Sequence, residues 1–243
     1  MPADGAGAPT SSAAAFAHGV KTGATSVFAY VLLGTFVGYG ALCHDLGFSL
    51  LWSLLSTILV WAAPAQVILV TTLGSGVPLA EAAIAVTLSA MRFLPMVAAL
   101  LPVIKTSDTR AHQLFLPTHF TAASMWVEGL RLAPTLPREH RIAFCNGLGT
   151  VMMTTALVAS VVGYAMAAKL PPLFAAAVLF LTPMSFLVSL VRNSRQLIDR
   201  LALAFGLVLA PALAYAKVSL GLLLAGLAAG TLAYGVHRLR RGR

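Results

Sequence analysis

The chain has 243 residues, of which 59% are hydrophobic and 9% charged, and it carries a formal net charge of +9. Soluble domains carry about 25% charged residues, so, with a mean hydropathy of +0.89, any aqueous domain larger than a short loop is excluded. The basic residues fall between apolar runs and at the C-terminus, a pattern of membrane topology rather than of a nucleic-acid surface.

Residues 1–23 are small and polar, with Pro2, Pro9 and a Thr-Ser-Ser run. They lack the basic start and apolar stretch of a signal peptide and read as a disordered lead-in. Apolar runs follow at 24–43, 48–73, 78–104, 142–168, 173–191, 201–216 and 218–236, with a weaker stretch at 114–130 that contains Pro117, His119 and Glu128. About 20 apolar residues cross a bilayer. The expected fold is all-α: a polytopic membrane helix bundle over 24–236, followed by a basic cytoplasmic tail at 237–243. It has eight spans if 114–130 crosses and seven if that stretch is re-entrant. With eight spans, the side holding both termini has Lys21, Arg131, Arg138, Arg141, Arg192, Arg195, Arg200, Arg238, Arg240, Arg241 and Arg243, against Lys105, Arg110, Lys169 and Lys217 opposite. Both termini are then cytoplasmic. With seven, the N-terminus moves outside and the C-terminus stays cytoplasmic. Cys43 and Cys145 edge apolar runs without metal spacing, so they read as packed thiols, and neither metal nor cofactor is expected.

Chemistry-bearing residues are few. In the second run, Trp61-Ala-Ala-Pro64-Ala-Gln66 combines a helix breaker, small residues and an amide, the pattern of a broken-helix site for a small polar ligand. In the third run, Arg92 lies between Ser89 and Pro95, deep in a segment long enough to span. Pro95 cannot donate to the Met91 carbonyl, which is expected to stay free beside the guanidinium. Cation and free carbonyl together suit a zwitterion. The bland alternative is a helix lock on neighbouring carbonyls. Thr118, His119, Thr121 and Ser124 gather polar groups in the weak segment, where His119 is a candidate proton relay or simply a bonded core residue. Gly34/Gly38 and Gly226/Gly230 have GxxxG spacing, for packing within the chain or for docking a second membrane subunit. Gly38-Tyr39 and Gly163-Tyr164 begin similar stretches, a possible parallel repeat. GxSxG, HExxH, P-loop and dinucleotide fingerprints are absent, and an enzyme is not expected.

The order Gly34-Thr-Phe-Val-Gly38-Tyr-Gly40-Ala41, Leu46-Gly47, Ala-Ala-Pro-Ala-Gln66 and a mid-span Arg resembles the AzlC-like large subunit of branched-chain amino-acid permeases. Thr118-His119-Phe120-Thr121, Asn146-Gly-Leu-Gly149 and Phe180-Leu-Thr-Pro183 add to the likeness. The resemblance implies a bacterial inner-membrane exporter of branched-chain amino acids acting with a small AzlD-like membrane subunit. Gln66 matches the family's small-small-Gln string. Arg92 matches an Asn-x-Arg-His-like string that here reads Ala90-Met-Arg92-Phe93, and an acidic string of the fourth segment is replaced by Thr121-Ala-Ala-Ser124.

The leading expectation is secondary-active export of small apolar amino acids. Arg92 would take the carboxylate, Gln66 and the carbonyls freed by Pro64 the ammonium, Ser89 would lie beside them, and His119 would relay protons. The alternatives are a passive channel for a small neutral solute and a membrane assembly subunit without flux.

Overall fold

The computed structural model describes residues 11–169, 196–216 and 221–241, together with residues 180, 184, 187 and 191. The first ten residues, most of the apolar run at 173–191, the basic residues at 192–195 and Lys217 lie outside the described residues. The described residues form helices and turns, with no strand among them. In order the helices are α1 (Ser12–Thr25), α2 (Val27–Asp45), α3 (Leu50–Val60), α4 (Ala63–Gly74), α5 (Leu79–Ala90), α6 (Phe93–Ile104), α7 (Ala111–His119), α8 (Ala123–Leu132), α9 (Arg141–Lys169), α10 (Leu197–Tyr215) and α11 (Gly221–Arg241). Four segments are long and apolar enough to cross a membrane: Val27–Asp45, Leu79–Ile104, Arg138–Lys169 and Leu197–Tyr215. Helices α3 and α4 are apolar but shorter. This is a multi-pass, all-helical membrane protein.

One expectation is corrected at the start of the chain. Ser12–Thr25 is a helix, not part of a disordered lead-in: the Ser11 hydroxyl caps it by accepting from the Ala14 amide at 3.2 Å. Ala15, Gly19 and Gly23, four residues apart, form a buried stripe. Polar residues around that stripe hide it from a hydropathy reading. The stripe lies on α9. A Cβ at Gly19 would overlap the Phe144 carbonyl oxygen, one at Gly23 the Val151 side chain, and one at Gly147 the Phe16 carbonyl oxygen.

Helix α9 is the spine. Phe16, Gly19 and Gly23 meet it progressively further along, and beyond the Ser26 bend Val37 meets Gly163 and Ala41 packs with Ala167. The α1–α2 pair therefore runs beside α9 in the same direction. Lipid tails are as apolar as the helices, so close backbone packing, rather than hydrophobic burial, holds them together. Gly40 against the Ser160 carbonyl and Gly163 against the Val37 carbonyl supply it. The core around this seam includes Phe36, Tyr39, Leu100, Met125, Phe144, Leu148 and Met152.

Helices α4 and α5 form a hairpin. Gly76 takes φ 74°, and the Val77 amide reaches back to the Thr72 carbonyl at 3.1 Å. Arg141 ties the other side together. Its guanidinium donates to the Val103 carbonyl at 2.8 Å, the Leu136 carbonyl at 3.0 Å and the Pro134 carbonyl at 3.2 Å. The acceptors are the unsatisfied end of α6 and the turn after α8, where a fixed cation is favoured. Helices α10 and α11 pack on each other, with Ala225, Ala229 and Ala233 buried.

Candidate functional site

Three helices are interrupted, and a hydrogen bond joins two of the interruptions. The first is at Trp61–Ala62. Pro64, in the first turn of α4, has no N–H for the Val60 carbonyl, and no other backbone donor among the described residues replaces it. Trp61 takes the left-handed conformation, φ 42°, the only non-glycine residue with positive φ among those described. The second is at Met91–Arg92. Gly76 sits in the α4–α5 turn, with Trp61 fifteen residues before it and Arg92 sixteen after, so these two interruptions lie at similar distances from the turn. The third is at Phe120–Ala122, between α7 and α8. The Trp61 indole N–H donates to the Phe120 carbonyl at 3.0 Å and joins the first break to the third. The stretch 114–130 is thus a broken helix, α7 and α8, whose break faces the core.

Below Trp61 lies a buried polar cluster. The Tyr39 hydroxyl and Ser56 Oγ are 2.6 Å apart, with Cys43 and Gln66 beside the same hydroxyl. Gln66 has no exposed surface. Because the chain turns at Trp61, its amide nitrogen reaches back to donate to Thr57 Oγ1 at 3.0 Å. Thr57 Oγ1 donates its own hydrogen to the Ser53 carbonyl at 3.0 Å, so only a lone pair is left to face the amide. That fixes the orientation of the amide. Gln66 Oε1 then points to no donor, and Ser53 Oγ, beside the Cys43 thiol, is likewise unpartnered. A buried acceptor without a donor is costly. Gln66 Oε1, and the Val60 carbonyl at the break, are acceptors that an ammonium or another N–H donor would satisfy.

The opposite charge preference lies beside it. Helices α4 and α8 begin at Ala62 and Ala122 with no side-chain cap. The first-turn amides of Ala123, Ser124 and Met125 have no partner among the described residues, and the positive end of the helix dipole is there. Thr121 and Ser124 are buried at this start, with Thr121 Oγ1 donating to the Pro117 carbonyl at 2.8 Å. Phe36, stacked 6.2 Å from Trp61, walls the junction with apolar surface.

The sequence candidates scatter across this geometry. Gln66 is at its centre, and Pro64, half-buried, creates the break. Arg92 is elsewhere: it is exposed, and its guanidinium lies 5.2 Å from the Phe93 ring centre. The Met91 carbonyl, expected to be free, accepts from the Leu94 amide at 3.2 Å. Pro95 occupies the first turn of α6, where its missing N–H is tolerated, and a tighter bond takes its place. Ser89 is half-buried near the end of α5. His119 lines an open cavity of about 300 Å³ with Ala111, Leu114, Phe115 and Thr118. Glu128 is buried and paired with Arg131, so it is a structural ion pair. Tyr39, Ser53, Ser56 and Thr57 were not singled out from sequence, although hydroxyls spaced three and four apart in an apolar run mark one polar helix face. No group of three or more potential metal ligands exists among the described residues.

A family model described as AzlC protein matches residues 26–170, more than half of the chain. No curated protein and no solved structure matches.

Proposed function

The chain belongs to the AzlC family of membrane transport proteins, and from that premise we propose that it exports small apolar amino acids, branched-chain ones first, across a bacterial inner membrane together with a small AzlD-like subunit. The site is the junction of the α3–α4 and α7–α8 breaks. Gln66 Oε1 and the Val60 carbonyl take the substrate ammonium. The free amides at the start of α8 take its carboxylate, as broken-helix ends do in other transporters. Phe36 and the surrounding apolar side chains accept the substrate's hydrocarbon. His119, lining the cavity on α7, exchanges the coupling proton. The observation that carries this reading is the buried, donorless Gln66 carbonyl at a helix break.

Leucine counterflow into proteoliposomes tests it. Gln66→Leu is expected to lower leucine exchange about tenfold or more, since a charged hydrogen bond contributes roughly 1.5–3 kcal/mol. Gln66→Asn, which keeps the amide but shortens it, is expected to retain part of that exchange. Unchanged exchange in Gln66→Leu would remove this site. Exchange of no branched-chain amino acid, with or without the small subunit, would remove the substrate assignment. A passive channel, in contrast, would give flux indifferent to an uncoupler.

A further inference from the structure

Arg92 poses a solvation problem that the transport site does not resolve. It is the fourteenth residue of the 26-residue apolar segment Leu79–Ile104. At 1.5 Å per residue both ends of that segment are roughly 18–20 Å away, too far for one side chain to reach a headgroup. The rest of the chain encloses only 6% of the segment's apolar window. Arg92 is exposed there between exposed Leu88, Met91 and Leu94. Among the described residues its one interaction is with the Phe93 ring, and no acceptor there takes its N–H groups. Arg131 and Arg141, in contrast, find a carboxylate and three carbonyls. A bare guanidinium facing lipid at mid-depth is strongly disfavoured, and such groups are found paired or facing a partner.

We infer that the α5–α6 face around Arg92 is a docking surface for a transmembrane helix of a second, different protein, one that carries a carboxylate at mid-membrane depth. This rests on the two-chain reading proposed above. A second copy of this chain does not fit. Copies related by an axis along the membrane normal place Arg92 at the level of Arg92, and Glu81, eleven residues earlier, is about 16 Å away along the helix. Inverting one copy leaves Arg92 near mid-depth and Glu81 near an edge. Glu128 is already held by Arg131. The flanking Leu88, Met91 and Leu94 supply the apolar surface against which a helix would lie.

The test uses the full chain in liposomes with synthetic membrane-spanning peptides of about 20 leucines, one with a central glutamate and one without. Energy transfer from labelled protein to labelled peptide reads binding. The glutamate peptide is expected to bind about tenfold more tightly than the all-leucine one. That preference should vanish in Arg92→Leu, persist in Arg92→Lys, and switch to a central-lysine peptide in Arg92→Glu. Equal binding of the two peptides would overturn the inference, as would a glutamate preference that survives Arg92→Leu. Displacement of the glutamate peptide by free leucine would also overturn it and return Arg92 to the substrate. Arg92-dependent self-association without peptide preference would overturn it in favour of a second copy. Leucine counterflow by the same preparations scores the transport reading separately: intact counterflow with no peptide preference sinks the docking surface alone.

Discussion

Trp61 occupies a backbone conformation that costs a non-glycine residue roughly 1–3 kcal/mol, and glycine would remove that cost. Tryptophan is held there by its side chain. The indole N–H satisfies the Phe120 carbonyl at 3.0 Å and the ring stacks on Phe36. Trp61→Phe keeps the stacking and deletes the indole donor, which leaves the Phe120 carbonyl with the Ala122 amide alone. It should destabilise the protein by about 0.5–1.5 kcal/mol, read as a lower thermal midpoint in detergent, and slow leucine exchange because the two breaks are no longer tied. Wild-type stability in Trp61→Phe would make the bond incidental. At this scale the sequence was informative where a residue is odd in its own context: Pro64 and Gln66 in an apolar run. It was silent on Tyr39, Ser53 and Thr57, whose role comes from neighbours on other helices. Arg92 was conspicuous for the right reason, its charge, yet the sequence could not say which way it faced.

Glycines decide how the elements meet, and their position in space matters more than their spacing. GxxxG spacing marks Gly226/Gly230, where the space is open, whereas close approaches are made by Gly19, Gly23, Gly40, Gly147 and Gly163. A Cβ at Gly163 would overlap the Val37 carbonyl, while Cβ atoms at Gly226 and Gly230 would meet nothing within 4 Å. Gly163→Ala should therefore push α2 off α9 and cost about 1–3 kcal/mol. Gly226→Ala should be neutral or stabilising by up to about 1 kcal/mol, since alanine is the better helix former. Comparing the unfolding midpoints of the two variants in one detergent decides the matter, and equal effects would contradict the α2–α9 seam. Gly149 extends the logic to the site. Phe120 packs where a side chain on residue 149 would stand, which lets its carbonyl meet Trp61. Hydropathy located most of these helices, but the breaks at Met91 and Phe120 depend on local hydrogen bonding that it does not record.

At the scale of the whole molecule, α1, α2 and α9 act as one rigid seam on which the broken helices are hung. Gly38-Tyr39 and Gly163-Tyr164 hinted at a repeat, and the helices that contain them lie side by side in the same direction, with Ala41 beside Ala167. The shortness and small residues of 12–25 hid the first part of this seam, because its buried face is made of alanine and glycine, which hydropathy barely scores. The two views make opposite predictions for a truncation. If residues 1–23 were a lead-in, deleting them would leave assembly intact. In the structure the same deletion uncovers Phe144, Leu148 and Gly147 on α9 and removes the backbone contacts at Gly19 and Gly23. Because lipid gives no hydrophobic drive to replace those contacts, the truncated protein should show a clearly lower thermal midpoint in detergent and a smaller yield of monodisperse protein. Val151→Trp, which obstructs the Gly23 contact in the full-length chain, should move both readouts in the same direction. If the truncated protein is as stable as the full chain, α1 is not part of the seam, and α2 alone must carry the packing against α9.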